Sequence, residues 1–158
     1  MNVAHQSGFT LIELLVVVVI IGVLASVGLP LSELASKRAK EEELRAALRQ
    51  IRTALDAYKK ASDENRIERA ADATGYPGDL ANLVDGVVSI NNPDKRLIYF
   101  LRRIPRDPFA DTKTSAIDSW ALRSYESPPD APKPGRDVFD VYSKSTGIGL
   151  NGIPYKDW

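Results

Sequence analysis

At 158 residues the chain has room for one ordinary domain and an appendage, and its 21 basic residues balance 21 acidic ones, so bulk charge offers nothing to attract a polyanion such as nucleic acid. There is no cysteine, which excludes disulfides, thiolate metal sites and cysteine nucleophiles. The only histidine is His5, so a Ser-His-Asp triad or a histidine metal cluster is closed to the body of the protein.

Residues 9–31 are almost wholly apolar and carry a single charge, Glu13. A bilayer core of roughly 30 Å needs about 20 helical residues. No ionisable side chain interrupts residues 14–31, so the run predicts a membrane-spanning helix. A buried core helix passes the same length test, and a secretory signal peptide is also N-terminal and apolar. The signal peptide, however, has a basic leading segment and an apolar run of about 7 to 15 residues. Residues 1–8 hold no Lys or Arg, and the run here is longer. Glu13 is the anomaly, because a carboxylate in hydrocarbon costs on the order of 2.5 to 3.5 kcal/mol. Either it lies at the interface and snorkels or takes up a proton, or a positive group from another subunit meets it.

Gly22, Gly28 and Pro30 interrupt the apolar helix, and Pro30 is expected to kink or loosen it by removing a backbone donor. Gly22 and Ser26 form a small-xxx-small pair, a common means of close helix approach. Beyond Pro30 the pattern turns amphipathic. Leu44, Leu48, Ile51, Leu55 and Tyr58 recur at helical spacing, while Arg45, Arg49, Arg52, Asp56 and Lys60 cover the remainder. Glu41 with Arg45, and Asp56 with Lys60, are placed for i,i+4 pairing, and the helix is expected to run to about residue 62. Residues 9–62 would form one helix on the order of 80 Å long at 1.5 Å per residue. Its bare apolar half would need other copies to bury it outside a membrane.

Residues 63–78 are polar and end in the turn-rich Thr74-Gly75-Tyr76-Pro77-Gly78. Asp79 is placed to cap a short helix through Asp85. A second short helix is expected over 94–103, where Leu97, Phe100, Leu101 and Ile104 give a helical stripe between Pro93 and Pro105. Residues 120–125 and 138–143 alternate with period two and predict an antiparallel strand pair, joined by the proline-rich surface loop 127–135. The tail 146–158 reads as a loop anchored by Ile153, Tyr155 and Trp158.

The segment Gly8-Phe9-Thr10-Leu11-Ile12-Glu13-Leu14 resembles the class III signal of type IV prepilins and type II secretion pseudopilins. The resemblance implies cleavage after Gly8 by a prepilin peptidase and methylation of the new amine at Phe9. Glu13 then stands at the fifth position of the mature chain, where the family keeps a glutamate. The ammonium of Phe9 would neutralise Glu13 of a neighbouring subunit inside an apolar filament core, and breaking one member of such a pair costs about 3 to 5 kcal/mol. Pro30 lies where pilins have a proline and where assembled filaments are locally melted. This leader departs from the family in lacking Lys or Arg, and Lys37, Arg38 and Lys40 follow the span, which by positive-inside counting favours a cytoplasmic C-terminus. The motif instead implies a C-terminal domain outside the inner membrane.

Tyr76-Pro77, Ile104-Pro105-Arg106-Asp107-Pro108-Phe109 and Asp140-Val141-Tyr142-Ser143 resemble, in the same order, segments of the major pseudopilins of type II secretion systems. The expected fold is therefore the pilin-like α+β fold, a long N-terminal helix with its hydrophobic half protruding, packed on a small C-terminal domain with an antiparallel sheet. Its expected parts are a leader at 1–8, a transmembrane and filament-core helix at 9–31, an amphipathic continuation at 32–62 and a periplasmic domain at 63–158. The resemblance also implies calcium in the loop after the Asp140 strand, with Asp140 as first ligand. The following Ser143-Lys144-Ser145-Thr146-Gly147 supplies no second acid, which leaves Asp140 as a turn or strand-end acceptor as the other reading.

The implied function is that of a non-enzymatic subunit of a periplasmic pseudopilus that drives protein export. It would polymerise with copies of itself through the N-terminal helices and meet minor pseudopilins and an inner-membrane assembly platform. A type IV pilin for adhesion, twitching or DNA uptake has the same N-terminal physics and is the alternative. DNA binding would call for clustered basic residues on one face, for which Arg102, Arg103 and Arg106 are the nearest candidates. A membrane-anchored enzyme would rest on Asp107, Asp111 and Asp118, yet nothing at helical or strand spacing converges these with a nucleophile or phosphate loop.

Overall fold

A computed structural model describes residues 10–91 and 94–158, with the backbone but not the side chains of 27–30. The chain divides into two units, Met1–Ala39 and Lys40–Trp158. Helix α1, Leu11–Asp63, supplies the described part of the first and opens the second. The helical backbone is continuous across Pro30, where the sequence predicts a kink or loosening.

In the first unit α1 contains a stretch long and apolar enough to cross a bilayer, and none of that stretch is buried within the chain. Leu14, Leu15, Val16, Val17, Ile20 and Ile21 all lie open. Such a surface is that of a helix whose burial comes from something other than its own chain.

In the second unit the predicted stripe is the keel of the core. Leu44, Leu48, Ile51 and Leu55 are fully buried, with Ala47 and Ala54 beside them, and Tyr58 packs at the edge. Opposite lie Leu80, Leu83 of the short helix α2 (Asn82–Asp85), Leu101, Ile104, Trp120, Val138, Val141 and Tyr155. Asp79 does not cap α2 through that helix's own amides; its Oδ1 accepts from the amide of Ala81, the residue just before the helix, at 2.8 Å.

The expected helix over 94–103 does not form. Strand β1 (Val87–Val88) pairs antiparallel with β2 (Leu97–Ile98), Val87 opposite Ile98. Lys95 takes a positive φ of 49°, which no right-handed helix accommodates. The amides of Phe100 and Leu101 both donate to the Leu83 carbonyl, at 3.0 and 2.8 Å, and so pin the segment to the end of α2. The apolar residues reach the interior by this route, Leu101 and Ile104 buried and Phe100 against Tyr58 with ring centres 5.1 Å apart. A helical spacing of four side chains describes an irregular segment equally well when backbone donors find a different acceptor.

Strands β3 (Trp120–Arg123) and β4 (Asp140–Ser143) form the antiparallel pair the alternation predicts, in the register Trp120 opposite Ser143 and Arg123 opposite Asp140. The Trp120 indole donates to the Pro105 carbonyl at 2.8 Å, so the largest buried side chain also has its polar atom paired. Asp107, almost fully buried, accepts from the Phe109 amide at 2.8 Å and from the Ser143 hydroxyl at 2.5 Å, tying the Pro105-to-Phe109 loop to β4. The tail ends in a 3₁₀ turn, Tyr155–Asp157. Of its three expected anchors, Tyr155 is buried, Trp158 is partly buried against it, and Ile153 is exposed.

Candidate functional site

The first candidate site is the start of α1. The Thr10 backbone amide and hydroxyl both donate to Glu13 Oε2 at 2.9 Å, and the Glu13 amide returns a bond to Thr10 Oγ1 at 3.3 Å. Threonine at the cap with glutamate three residues on is a reciprocal capping box, which satisfies donors that a helix start leaves bare. The negative charge also sits at the positive end of the helix dipole. Glu13 thus has a local role besides any partner in another subunit. The spacing Thr10-x-x-Glu13 is the sequence signal for it, which the cost of a charge in hydrocarbon does not reveal. Gly8 and Phe9, the implied processing pair, lie outside the described residues, and of Pro30 only the backbone is described.

The second candidate is Asp140, the implied calcium ligand at the start of β4. Its Oδ1 accepts from Arg52 Nε at 2.8 Å and from the Val141 amide at 2.8 Å, while Oδ2 faces the Arg123 guanidinium at 3.5 Å. The Arg52 guanidinium reaches on to the main-chain oxygens of Val141, at 3.3 Å, and Trp158, at 2.8 Å. Downstream, Ser143 is committed to Asp107, and the Ser145 and Gly147 amides fold back on the hydroxyls of Ser143 and Ser145. A calcium ion takes 6 to 8 oxygen ligands, about that number in any flexible site. Here the Asp140 carboxylate is already held by two guanidinium groups, so these residues do not fit calcium. Among the described residues no group of three or more His, Asp or Glu is arranged to hold a metal. Asp140 is instead an ion-pair acceptor that links α1, β3 and β4.

The remaining sequence candidates separate in space. Asp107 is the buried tie described above, Asp111 accepts from the Lys113 amide, and Asp118 accepts from the Ser115 hydroxyl. Each serves its own turn, and they do not converge on a common site. Arg102 and Arg103 are exposed, and Arg106 donates to the Asp111 carbonyl.

The expected helix pairs also re-form with other partners. Lys60 faces Glu64 at 3.8 Å rather than Asp56, and Lys59 holds Asp63 at 2.6 Å. Glu41 turns inward, and Arg45 stacks over the Trp158 ring at 4.3 Å. Sequence reasoning missed both Glu41 and Arg52, because each lies on a helix face that reads as solvated until the tail covers it.

Residues 3–29 match a family model described as the prokaryotic N-terminal methylation motif. That motif, on a long N-terminal helix followed by a domain with small antiparallel sheets, defines a pilin-like α+β protein. The chain is 32% identical over 111 residues to the type II secretion system core protein G of Vibrio cholerae, covering 67% of each. It is 32% identical over 115 residues to the protein of that name from Aeromonas hydrophila, covering 70% of this chain and 73% of the other. A shorter match, 46% over 55 residues, joins it to the Pseudomonas aeruginosa protein of the same name, covering 35% of this chain and 39% of that one. The chain belongs to the type II secretion system core protein G family, the pseudopilins. No solved structure matches it significantly.

Proposed function

We propose that this pseudopilin is the filament-building, non-catalytic subunit of a periplasmic pseudopilus that drives protein export. A prepilin peptidase would remove residues 1–8 as a leader, cutting between Gly8 and Phe9, and the Phe9 amine would be methylated. Residues 9–31 would then anchor the chain in the inner membrane and later form the filament core. Residues 32–62 continue the helix, and 63–158 form the domain on the periplasmic side. Copies of the chain, minor pseudopilins and an inner-membrane assembly platform are the partners this role requires.

The observation that carries the reading is the methylation motif at 3–29 overlapping a capped helix whose apolar stretch is left bare by the described residues of its own chain. Each Val, Leu or Ile taken from water on such a surface is worth about 1.5 to 3 kcal/mol, which favours membrane insertion first and packing among copies afterwards. Cleavage would place a new ammonium within reach of Glu13 on a neighbour, and the charge would be neutralised only in the assembled state. Thr10 would meanwhile hold the Glu13 carboxylate at the helix start.

Intact-mass analysis after co-expression with a prepilin peptidase tests the processing step. The expected product lacks Met1 to Gly8 and carries one added methyl; an uncut chain defeats the proposal. Glu13→Val should still be trimmed but yield few filaments, and filaments at the native level would remove Glu13 from assembly. A deletion strain that loses exoprotein secretion while keeping twitching motility supports export over an adhesive pilus.

A further inference from the structure

We propose that Arg52 is the internal cation of this domain, so that the corner built by Asp140, Val141 and Trp158 closes without calcium. The argument begins with the oxygens that meet there. Asp140 Oδ1 and the main-chain oxygens of Val141 and Trp158 come from a strand start and the tail, and all three accept from one guanidinium. Oxygen sets of this kind, a side-chain carboxylate with main-chain oxygens from separate segments, suit a hard cation when more acids are added. The chain adds an arginine from α1 instead. A guanidinium offers a planar fork of five donors, which suits three acceptors lying on one side of it.

The consequence is a different wiring of the fold. A metal ion would bind loop residues to one another, whereas Arg52 binds them to the helix, 88 positions away from Asp140 and 106 from Trp158. Arg123 supports the same carboxylate from the neighbouring strand at 3.5 Å and packs its guanidinium over the Phe139 ring at 4.6 Å. Both oxygens of the Asp140 carboxylate thus already face a guanidinium, which leaves neither free for a divalent ion. The Arg52 side chain remains 38% exposed, and a simple ion pair that open contributes little. The two further bonds to main-chain oxygens are what raise it above a surface pair.

The test follows thermal unfolding of the full chain in detergent by the fluorescence of Trp120 and Trp158, in calcium chloride and in EDTA. The wild-type midpoint should be the same in both, and Arg52→Met should lower it by about 3 to 6 °C in both. Arg52→Lys, which keeps the charge but loses the fork, should fall between them and gives a reading even where the methionine variant does not fold. Asp140→Asn should cost less in the Arg52→Met background than in the wild type, a coupling that loss of packing alone would not produce. A wild-type midpoint raised by calcium overturns the proposal. So does an Arg52→Lys protein indistinguishable from wild type.

Discussion

Glu41, on the helix, and Tyr155, in the tail, are joined by a hydrogen bond from the phenol to the carboxylate at 3.0 Å, across 114 positions of sequence. The Leu150 amide donates to the same oxygen at 2.8 Å. Both side chains are buried, Glu41 with 4% and Tyr155 with 2% of its surface open. Tyr155 in turn stacks on Phe109 with ring centres 4.2 Å apart and meets Trp158 edge-on at 5.1 Å. One acid on α1 therefore orders a segment that has little regular structure of its own. An acid buried in this way is tolerable only while its donors remain in place.

Replacing Glu41 separates the acceptor from the charge. Glu41→Leu strands the Tyr155 hydroxyl and the Leu150 amide, and is expected to cost about 2 to 3 kcal/mol in denaturant unfolding. Glu41→Gln keeps an acceptor oxygen and should cost about 1 kcal/mol on the same grounds. Equal stability of the leucine variant and the wild type would show that the tail is held by its rings alone.

Alkaline pH acts on the other end of this bond. Burial, and then the hydrogen bond and negative charge of Glu41, push the Tyr155 phenol up to about 12 from an ordinary value of 10.0. The unfolded chain therefore gives up this proton more readily than the folded one. Stability should be intact below about pH 10 and should decline as pH rises from there towards 12. Burial also raises Tyr58 and Tyr76, so the decline has more than one contributor. Tyr155→Phe should start less stable and lose stability less steeply over that window. A slope unchanged by the substitution would assign the alkaline transition to other groups.

Gly86 joins α2 to β1 at φ 85° and ψ 154°, a region that side chains other than hydrogen avoid. A Cβ there would meet the Tyr99 ring at 2.8 Å, but that ring is 61% exposed and free to swing aside. The backbone term should dominate, and Gly86→Ala is expected to destabilise by about 1 to 3 kcal/mol. Gly86→Ala combined with Tyr99→Ala should recover little of it. Full recovery in the double variant would put the cost in the ring contact instead.

How far the residues speak for themselves differs along the chain. The membrane-length run follows from an uninterrupted apolar length, while the buried face of Leu44, Leu48, Ile51 and Leu55 and the β3–β4 pair follow from periodicity, because burial on one face leaves its period in the sequence. Segment 94–103 misled because Leu97, Phe100, Leu101 and Ile104 carry a helical spacing while their amides answer to Leu83. Thr10 and Glu13 stated the helix start outright, three residues apart.

By itself, then, the sequence determined the membrane-length apolar run, the amphipathic face of α1 and the N-terminal methylation motif, all of which rest on local order. Only the tertiary structure decided what Glu41, Arg52 and Asp140 do. Glu41 and Arg52 lie on a helix face that local rules read as solvated, and Asp140 at the start of a strand. The partner of each arrives from 88 to 114 positions away. A charge's role follows from which donors and acceptors finally surround it, and long-range packing, not local propensity, selects those. That selection makes Asp140, a strand-end acceptor for the Val141 amide, also the counter-ion of Arg52, and makes Glu41 the acid that holds the tail.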